Sequence, residues 1–185
     1  MKNIDMSANT REAIFNAANR VILEKGAEAF TLEAVAKEAN VSKGGLLYHF
    51  PSKVQLIQAM IERMIAQVEA TLRDELAKSG GDYLTAYIRA SFQTRVEPEP
   101  ISNAFSAALA NDPILMEPLR LHFQKMQNDI AAAAPTPEIG TLIRLALDGL
   151  WFAELFNYAP PSPALKEKML ETLLFFAQGK GKIPD

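Results

Sequence analysis

The sequence contains no cysteine, and it has no continuous apolar run long enough to span a bilayer. Without cysteine the chain can form no disulfide, no zinc-thiolate site and no thiol nucleophile. A membrane-spanning helix needs about 18 apolar residues in succession, and the first residues include no apolar signal segment. We therefore expect a folded protein of the cytoplasm, with a core supplied by the 49% of its 185 residues that are hydrophobic.

Patterns typical of catalytic sites are also missing. The chain has two histidines, His49 and His122, and no HExxH, GxSxG or phosphate-binding-loop motif. A hydrolase or a metalloenzyme needs nucleophile, base or ligand groups that converge on one place. The sequence therefore predicts a protein that is not an enzyme and that carries neither a cofactor nor a metal.

The charge balance is slightly acidic, with a formal net charge of -3, which is unusual for a protein that binds nucleic acid. Residues 1–60 carry seven Lys or Arg and six Asp or Glu, whereas the rest of the chain carries twelve and sixteen. This asymmetry is mild. Charge alone therefore does not decide whether the chain binds DNA.

Apolar residues recur at helical spacing along the whole chain, which predicts an all-α protein of about nine helices. The spacing predicts a helix over about residues 10–25, short helices after the capping residues Thr31 and Ser42, and a long helix after Ser52. The remaining helices are predicted at about 82–96, 101–110, 113–133, 137–158 and 163–178. Three of these begin with a capping residue followed by proline, which is the order typical of a helix start.

The segment from Thr31 to Lys53 carries the clearest functional signal. Its two short helices are joined by a tight turn, which is the geometry that presents a second helix to the major groove of DNA. In the run SKGGLLYHF, the apolar Leu46, Leu47 and Phe50 can face inward and leave a polar face for a partner. Each of the two adjacent glycines costs about 1 kcal/mol relative to alanine inside a helix. A close approach of the helix backbone to DNA is one reason why glycines would be present here despite that cost.

The run TLEAVAKEANVSKGGLLYHFPSK, residues 31–53, closely resembles the DNA-binding signature of the TetR family of repressors. The resemblance is detailed over about residues 10–58 and is one of architecture beyond them. It implies a helix-turn-helix DNA-binding domain over residues 1–52 and a larger helical domain for effector binding and dimerisation over residues 53–185. It also implies a regulator, expected to be a repressor, that binds a palindromic operator as a homodimer and is released by a small hydrophobic or amphipathic effector.

The resemblance further implies which residues contact double-stranded operator DNA. Thr31 and Lys53 would contact phosphates, and Tyr48 and His49 would contact the backbone or the bases. The residues implied to approach the bases are Ser42, Lys43, Gly44 and Gly45. Each of these residues also has an ordinary alternative role. Thr31 can cap its helix whether or not it contacts a phosphate, and Lys53 alone can be a solvated lysine. The rings of Tyr48 and His49 can be ordinary surface residues or residues satisfied by a neighbour.

The larger domain is rich in aromatic and sulfur-containing residues, most of which are expected in its core. Helices packed around a cavity could also hold an effector, whose identity the sequence does not reveal. The candidate pocket residues are Tyr83, Tyr87, Arg89, Phe92, Phe105, Met116, His122, Phe123, Met126, Arg144 and Trp151. A histidine on the surface, or one satisfied by a neighbour, is the plainer interpretation of His122.

The last two predicted helices are apolar around much of their circumference, so each must be covered on more than one side. One covering side is expected to be a second copy of the chain, in a four-helix interface. The predicted interface residues are Phe152, Leu155, Phe156, Met169, Leu173 and Phe176. A helical adaptor protein and a regulator that responds to no ligand are the alternatives, and the adaptor leaves the glycine-bearing helix with its Tyr-His pair unexplained.

Overall fold

The computed structural model describes residues 2–93, 113–155 and 157–180, and every regular element in these ranges is a helix. The α-helices are α1 (Lys2–Lys25), α2 (Leu32–Glu38), α3 (Lys43–His49), α4 (Lys53–Lys78), α5 (Tyr83–Gln93), α6 (Glu117–Ala133), α7 (Pro137–Leu155) and α8 (Pro163–Ala177). Short 3-10 helices cover Ala27–Ala29 and Pro113–Met116. The all-α prediction is confirmed, and the helix predicted at 101–110 lies outside the described residues.

The chain forms two compact units. The first unit comprises Met1–Met64 with Glu99–Leu119, and the second comprises Ile65–Pro98 with Arg120–Asp185. The predicted domain boundary between residues 52 and 53 stays a prediction.

Local chemistry explains where the first helices stop. Gly26 follows α1 with a φ of 80°, a left-handed conformation that glycine adopts without steric cost. After α2, Asn40 has a φ of 55°, and the N–H of Val41 donates to the carbonyl of Ala36 over 3.0 Å. This is the bond that closes a helix C-terminus over a left-handed residue. The tight turn predicted between α2 and α3 is therefore confirmed.

Three predicted helices differ from the structure at their ends. The first, expected over about residues 10–25, begins at Lys2 in the structure. The helix expected over 113–133 is divided into a 3-10 turn and α6. Pro118 lies in the first turn of α6, where its missing N–H breaks no helical bond, whereas it could not continue a helix from Pro113. The helix expected over 137–158 ends at Leu155, and Asn157 after it has a φ of 50°.

Each unit has its own apolar core. In the first unit the buried side chains include Ile14, Val21, Phe30, Leu46 and Leu56, which lie on α1 to α4 and on the turn between α1 and α2. In the second unit the core cluster consists of Leu84, Tyr87, Ile88, Met126, Ile130, Ile139, Ile143, Leu147 and Leu173. Among the described residues, no helix is long and apolar enough to cross a membrane.

Candidate nucleic-acid interface and ligand cavity

The second, third and fourth helices each begin at a hydroxyl cap. Thr31 Oγ1 accepts from the N–H of Ala34 over 3.1 Å, and Ser42 Oγ accepts from the N–H of Gly45 over 3.0 Å. Ser52 Oγ accepts similarly from the residue three positions later, over 3.2 Å. These bonds satisfy N–H groups that a helix start leaves without an internal partner. The predicted caps are thus confirmed, and they fix where α2, α3 and α4 start.

α3 has one buried face and one exposed face. Leu46 and Phe50 are buried in the core of the first unit, and Leu47 is half-buried. On the other side, Tyr48 is 82% exposed, and its ring meets the ring of His49 edge-on at 5.2 Å between centroids. A large aromatic side chain held in solvent contributes nothing to the core, so this face is available to a partner.

The two adjacent glycines of α3 have different surroundings. A Cβ atom built on Gly44 would have no heavy atom within 4 Å, whereas one on Gly45 would lie 3.2 Å from Ser42 Oγ. Gly45 therefore has an internal reason to be glycine, because a side chain there would crowd the cap. Gly44 has no such reason in the free protein, and its contact with a partner stays a prediction.

Lys43, on the exposed side of α3, is paired with an acidic residue of α2. Its ammonium lies 2.5 Å from Oε1 of Glu33 on α2, and more than half of each side chain is exposed. The hydrogen bond from Lys43 holds the pKa of the Glu33 carboxyl below its usual range. No motif marks Glu33, since only the packing of α2 against α3 brings the pair together.

Lys53 is the first residue of α4 and is half-buried. Its ammonium lies 5.4 Å from the ring centroid of Phe30, and burial lowers its pKa. The positive end of a helix and a lysine there both attract a phosphate. Contact with Phe30 gives Lys53 a structural role as well.

All eight predicted DNA-contacting residues lie in the first unit, at the starts of α2 and α4 or on and just before α3. Thr31, Ser42, Lys43, Gly44 and Tyr48 are exposed, whereas Gly45, His49 and Lys53 are half-buried. Their contacts with DNA stay predictions.

The second unit contains a cavity of about 300 Å³ between α4, α5 and α6. Four of the predicted pocket residues line it: Tyr83, Tyr87, His122 and Met126. The lining residues that sequence reasoning missed are Val68, Glu69, Leu72, Arg73, Leu76, Ala90, Ser91, Lys125 and Asp129. Most of the missed residues are ordinary apolar or charged helix residues, which carry no signal in a sequence.

The other predicted pocket residues lie elsewhere. Arg89, Phe92, Phe123, Arg144 and Trp151 do not line this cavity. The guanidinium of Arg144 instead donates to Gln127 and, over 2.5 Å, to Asp148. Met116 belongs to the first unit, and Phe105 lies outside the described residues.

The polar groups of the cavity influence one another. Burial, followed by the charges of Asp129 and Glu69, raises the pKa of the Tyr83 hydroxyl to about 12. Burial is also the main cause of the raised pKa of Tyr87. His122 Nδ1 lies 3.4 Å from Oε1 of Glu69. Within the part of the chain that the structure describes, no group of three or more His, Cys, Asp or Glu is placed to hold a metal ion.

Apolar side chains are also exposed along α7 and α8. The large ones on these helices are Leu142, Leu145, Phe152, Leu165, Phe175 and Phe176. Of the predicted interface residues, Phe152 and Phe176 are exposed and Met169 is half-buried. Leu173 is buried in the core of its own unit, which leaves little of its side chain for a second subunit, and the predicted interface stays a prediction. The side chain of Leu155 and all of Phe156 lie outside the part of the chain that the structure describes.

Two protein-family models match the chain. The model for "Bacterial regulatory proteins, tetR family" matches residues 14–60, and the model for "Tetracyclin repressor-like, C-terminal domain" matches residues 81–178, more than half of the chain. The HTH-type transcriptional regulator BetI of Rhizobium meliloti (strain 1021) is 26% identical over 200 aligned positions, which cover 100% of this chain and 98% of BetI.

Solved structures share the fold. The multidrug binding protein EbrR, complexed with malachite green, has a TM-score of 0.65 and 22% identity, over 90% of this chain and 97% of EbrR. SmeT in a complex with triclosan has a TM-score of 0.68 and 18% identity, over 96% of this chain and 98% of SmeT.

Proposed function

This chain belongs to the TetR family of bacterial regulatory proteins, and we propose that it is a repressor that binds a palindromic operator as a homodimer and is released by a small ligand. Proteins of this family are DNA-binding transcriptional regulators and not enzymes. In the proposal, residues 1–52 bind DNA, residues 53–185 bind the effector and the second subunit, and the protein acts in the cytoplasm.

The exposed face of α3 is the observation that carries the DNA-binding part. Leu46 anchors the helix while Ser42, Lys43, Gly44 and Tyr48 face solvent. Hydroxyl, ammonium and phenol groups can donate to phosphate oxygens or base edges. The N-terminal part of such a helix is the part that enters the major groove, which assigns Lys43 to the bases.

Two lysine variants separate base contacts from phosphate contacts. Lys43→Ala should weaken binding to DNA from upstream of the protein's own gene more than binding to a scrambled duplex, by about 1–3 kcal/mol per base contact. Lys53→Ala should weaken both duplexes by similar factors. It should also flatten the slope of log affinity against log salt by about 0.9 per lost contact, or twice that in a symmetric dimer.

Titrations at several salt concentrations measure these effects. Lys168→Ala, at an exposed position of α8, is the control because it removes the same positive charge. Because Lys53 contacts Phe30, a urea titration must show that Lys53→Ala is folded at the assay temperature. Unchanged operator affinity in both folded variants would remove this DNA-binding surface from the proposal.

The exposed apolar residues support the homodimer. On α7, Leu142, Leu145 and Phe152 follow helical spacing and form one exposed stripe. Phe176 on α8 is exposed as well. Exposed apolar stripes on neighbouring helices are typical of a surface that a symmetric partner covers.

A charged residue in the stripe tests this interface. Phe152→Glu would bury two carboxylates at a two-fold interface without partners, so light scattering should change from twice the 20.4 kDa chain mass to a monomer or to aggregate. Gln124→Glu, on an exposed position of α6, is the control. A Phe152→Glu protein that stays a soluble dimer would contradict the assignment.

The cavity of the second unit supports an effector. At about 300 Å³ it has the size of a small-molecule site, and it combines apolar walls with a few polar groups. EbrR and SmeT, which share the fold, have solved structures in complex with small molecules. An effector must bind more tightly to the conformation that cannot bind the operator, because a ligand with equal affinity for both conformations does not shift the equilibrium between them.

A ligand panel tests the effector. Compounds are first sorted by the increase in melting temperature that they cause, and then by the change in operator affinity. If several compounds stabilise the protein and none changes operator affinity, release by a ligand is refuted for this protein.

A further inference from the structure

A cluster of arginine and phenylalanine side chains in the first unit joins α1 and α4 to the end of α3. The guanidinium carbons of Arg63 on α4 and Arg11 on α1 lie 5.0 Å and 5.8 Å from the ring centroid of Phe15. The Phe15 ring contacts the ring of Phe50, with 5.3 Å between the centroids. Arg11 also lies 4.8 Å from the centroid of Phe50. The cluster therefore connects α4, through α1, to the residue at which α3 ends.

Phe50 directly follows α3 and anchors the C-terminal end of that helix. Its N–H donates to the carbonyl of Leu46 over 2.8 Å, and its side chain is only 2% exposed. Phe15 is buried as well, so the two rings form an apolar contact that water does not reach. Because α3 has only seven residues, a displacement of Phe50 changes the direction of the whole helix.

Arg63 is fixed in this cluster by two contacts at once. Its Nη2 atom lies 2.6 Å from Oε2 of Glu12 on α1, and its side chain is 31% exposed. A planar guanidinium can pair with a carboxylate and also stack on a ring, which a lysine ammonium cannot do. Arg63 lies about 15 Å along α4 from Lys53, at the rise of an α-helix. It is therefore separated from the phosphate contact predicted at the start of α4.

The direction of α3 matters more for base contacts than for general attraction to DNA. A hydrogen bond to a base edge weakens steeply when its distance or angle changes. The attraction between a lysine and a phosphate falls slowly with distance. A small change in the direction of α3 should therefore reduce the discrimination between sequences while most of the affinity for any duplex is retained.

We propose that Arg63 is a positioning residue for DNA recognition, which acts through Phe15 and Phe50 to hold α3 in the direction that base contacts require. The proposal rests on the proposed DNA-binding surface of α3 and adds a residue that lies outside that surface. Neither the helix-turn-helix motif nor the spacing of α4 identifies Arg63, because its contacts are with α1.

Replacement of Arg63 by methionine tests the role, because it removes the charge and keeps a long apolar side chain against Phe15. Arg63→Met should weaken binding to DNA from upstream of the protein's own gene about fivefold, and binding to a scrambled duplex by less than about twofold. The slope of log affinity against log salt should stay unchanged, since no phosphate contact is lost. Arg120→Met, at an exposed position of α6, is the control of equal charge change.

The ratio of the two affinities separates positioning from a purely structural role. Partial unfolding lowers the concentration of binding-competent protein and reduces both affinities by the same factor, so it leaves their ratio unchanged. A urea titration measures the stability of each variant independently. If Arg63→Met is less stable but keeps the wild-type ratio, Arg63 is only structural. If both affinities fall equally and the salt slope flattens, Arg63 contacts a phosphate itself. Either result would overturn the proposal.

Glu12→Gln tests the same contact with a milder change, because it removes the ion pair and leaves Arg63 in place. It should lower the ratio of the two affinities about twofold. In the Arg63→Met background it should have no further effect, since both residues act through one contact. An unchanged ratio in Glu12→Gln, or losses that add in the double variant, would overturn the proposal.

Lys43→Ala, measured beside these variants, separates this inference from the proposed function. If Lys43→Ala lowers the ratio and Arg63→Met does not, the DNA-binding surface is supported and the positioning role fails. If Arg63→Met lowers the ratio and Lys43→Ala does not, the positioning role is supported and the base contact assigned to Lys43 is wrong.

Discussion

Gly140 of α7 packs closely against the C-terminal end of α6, and its replacement by alanine should destabilise the protein. A Cβ atom built on Gly140 would lie 2.8 Å from Cβ of Ala134, and 3.1 Å from both Cγ2 and the backbone oxygen of Ile130. Ile130 is fully buried in the core of the second unit. The backbone oxygen of Ile130 is fixed within α6 and cannot rotate away as a side chain could, so α6 and α7 must move apart to accept the added Cβ.

The expected magnitude is a balance of two effects. Alanine is about 1 kcal/mol more favourable than glycine in a helix interior. Forcing an extra carbon into a filled core costs about 1–3 kcal/mol, and the backbone contact places this site in the upper part of that range. The free energy of unfolding of Gly140→Ala should therefore fall by about 1–2 kcal/mol.

Urea unfolding followed by circular dichroism, at one fixed protein concentration, measures this loss, because the stability of a dimer depends on concentration. Ala134→Gly removes the methyl group that the new Cβ would meet at 2.8 Å. Gly140→Ala should therefore cost less in that background than in the wild type, although the contacts with Ile130 remain. A Gly140→Ala protein as stable as the wild type would refute the close approach of the two helices.

Three further changes have expected outcomes. Glu33→Gln frees Lys43, so DNA titrations should show a larger gain in affinity for operator than for random duplex. Unchanged binding would mean that the ion pair does not compete with DNA. Ser162→Ala removes the 3.3 Å hydrogen bond from the N–H of Leu165 and should lower the free energy of unfolding by about 1 kcal/mol. Ser162→Asp should retain this capping bond and the stability of the wild type. Equal losses of stability in the two variants would contradict the role of Ser162 as a cap. The pKa of the Tyr83 hydroxyl is raised from 10.0 to about 12, so the neutral hydroxyl contributes to the stability of the fold below pH 10, and this contribution is lost as the pH rises towards 12. An ultraviolet titration of the wild type and of Tyr83→Phe measures the ionisation. If Tyr83→Phe removes a tyrosine that ionises near pH 10, the prediction is contradicted.

The starts of α2, α3, α4 and α8 were predictable because each depends on a few neighbouring residues, whereas α1 begins earlier than predicted. Ser42 and Ser162 cap their helices through N–H groups three positions later, and Asn40 adopts the left-handed conformation that its type tolerates. The placement of the exposed residues of α3 was predictable for the same reason, since their motif is one continuous run of residues, whereas their contacts with DNA stay predictions. The exception is Glu33, whose role depends on the packing of α2 against α3.

The sequence by itself determined the all-α fold, the positions of most helices and the family, because helical periodicity, caps and a continuous motif are local properties of the chain. Only the tertiary structure decided that Leu173 faces the core, that Met116 belongs to the first unit, and that Glu69 and Asp129 line the same cavity as Tyr83. Periodicity shows that a helix has an apolar face, but not which neighbour covers that face. Residues from α4, α5 and α6 meet in one cavity through the crossing of those helices, which no short segment of sequence encodes.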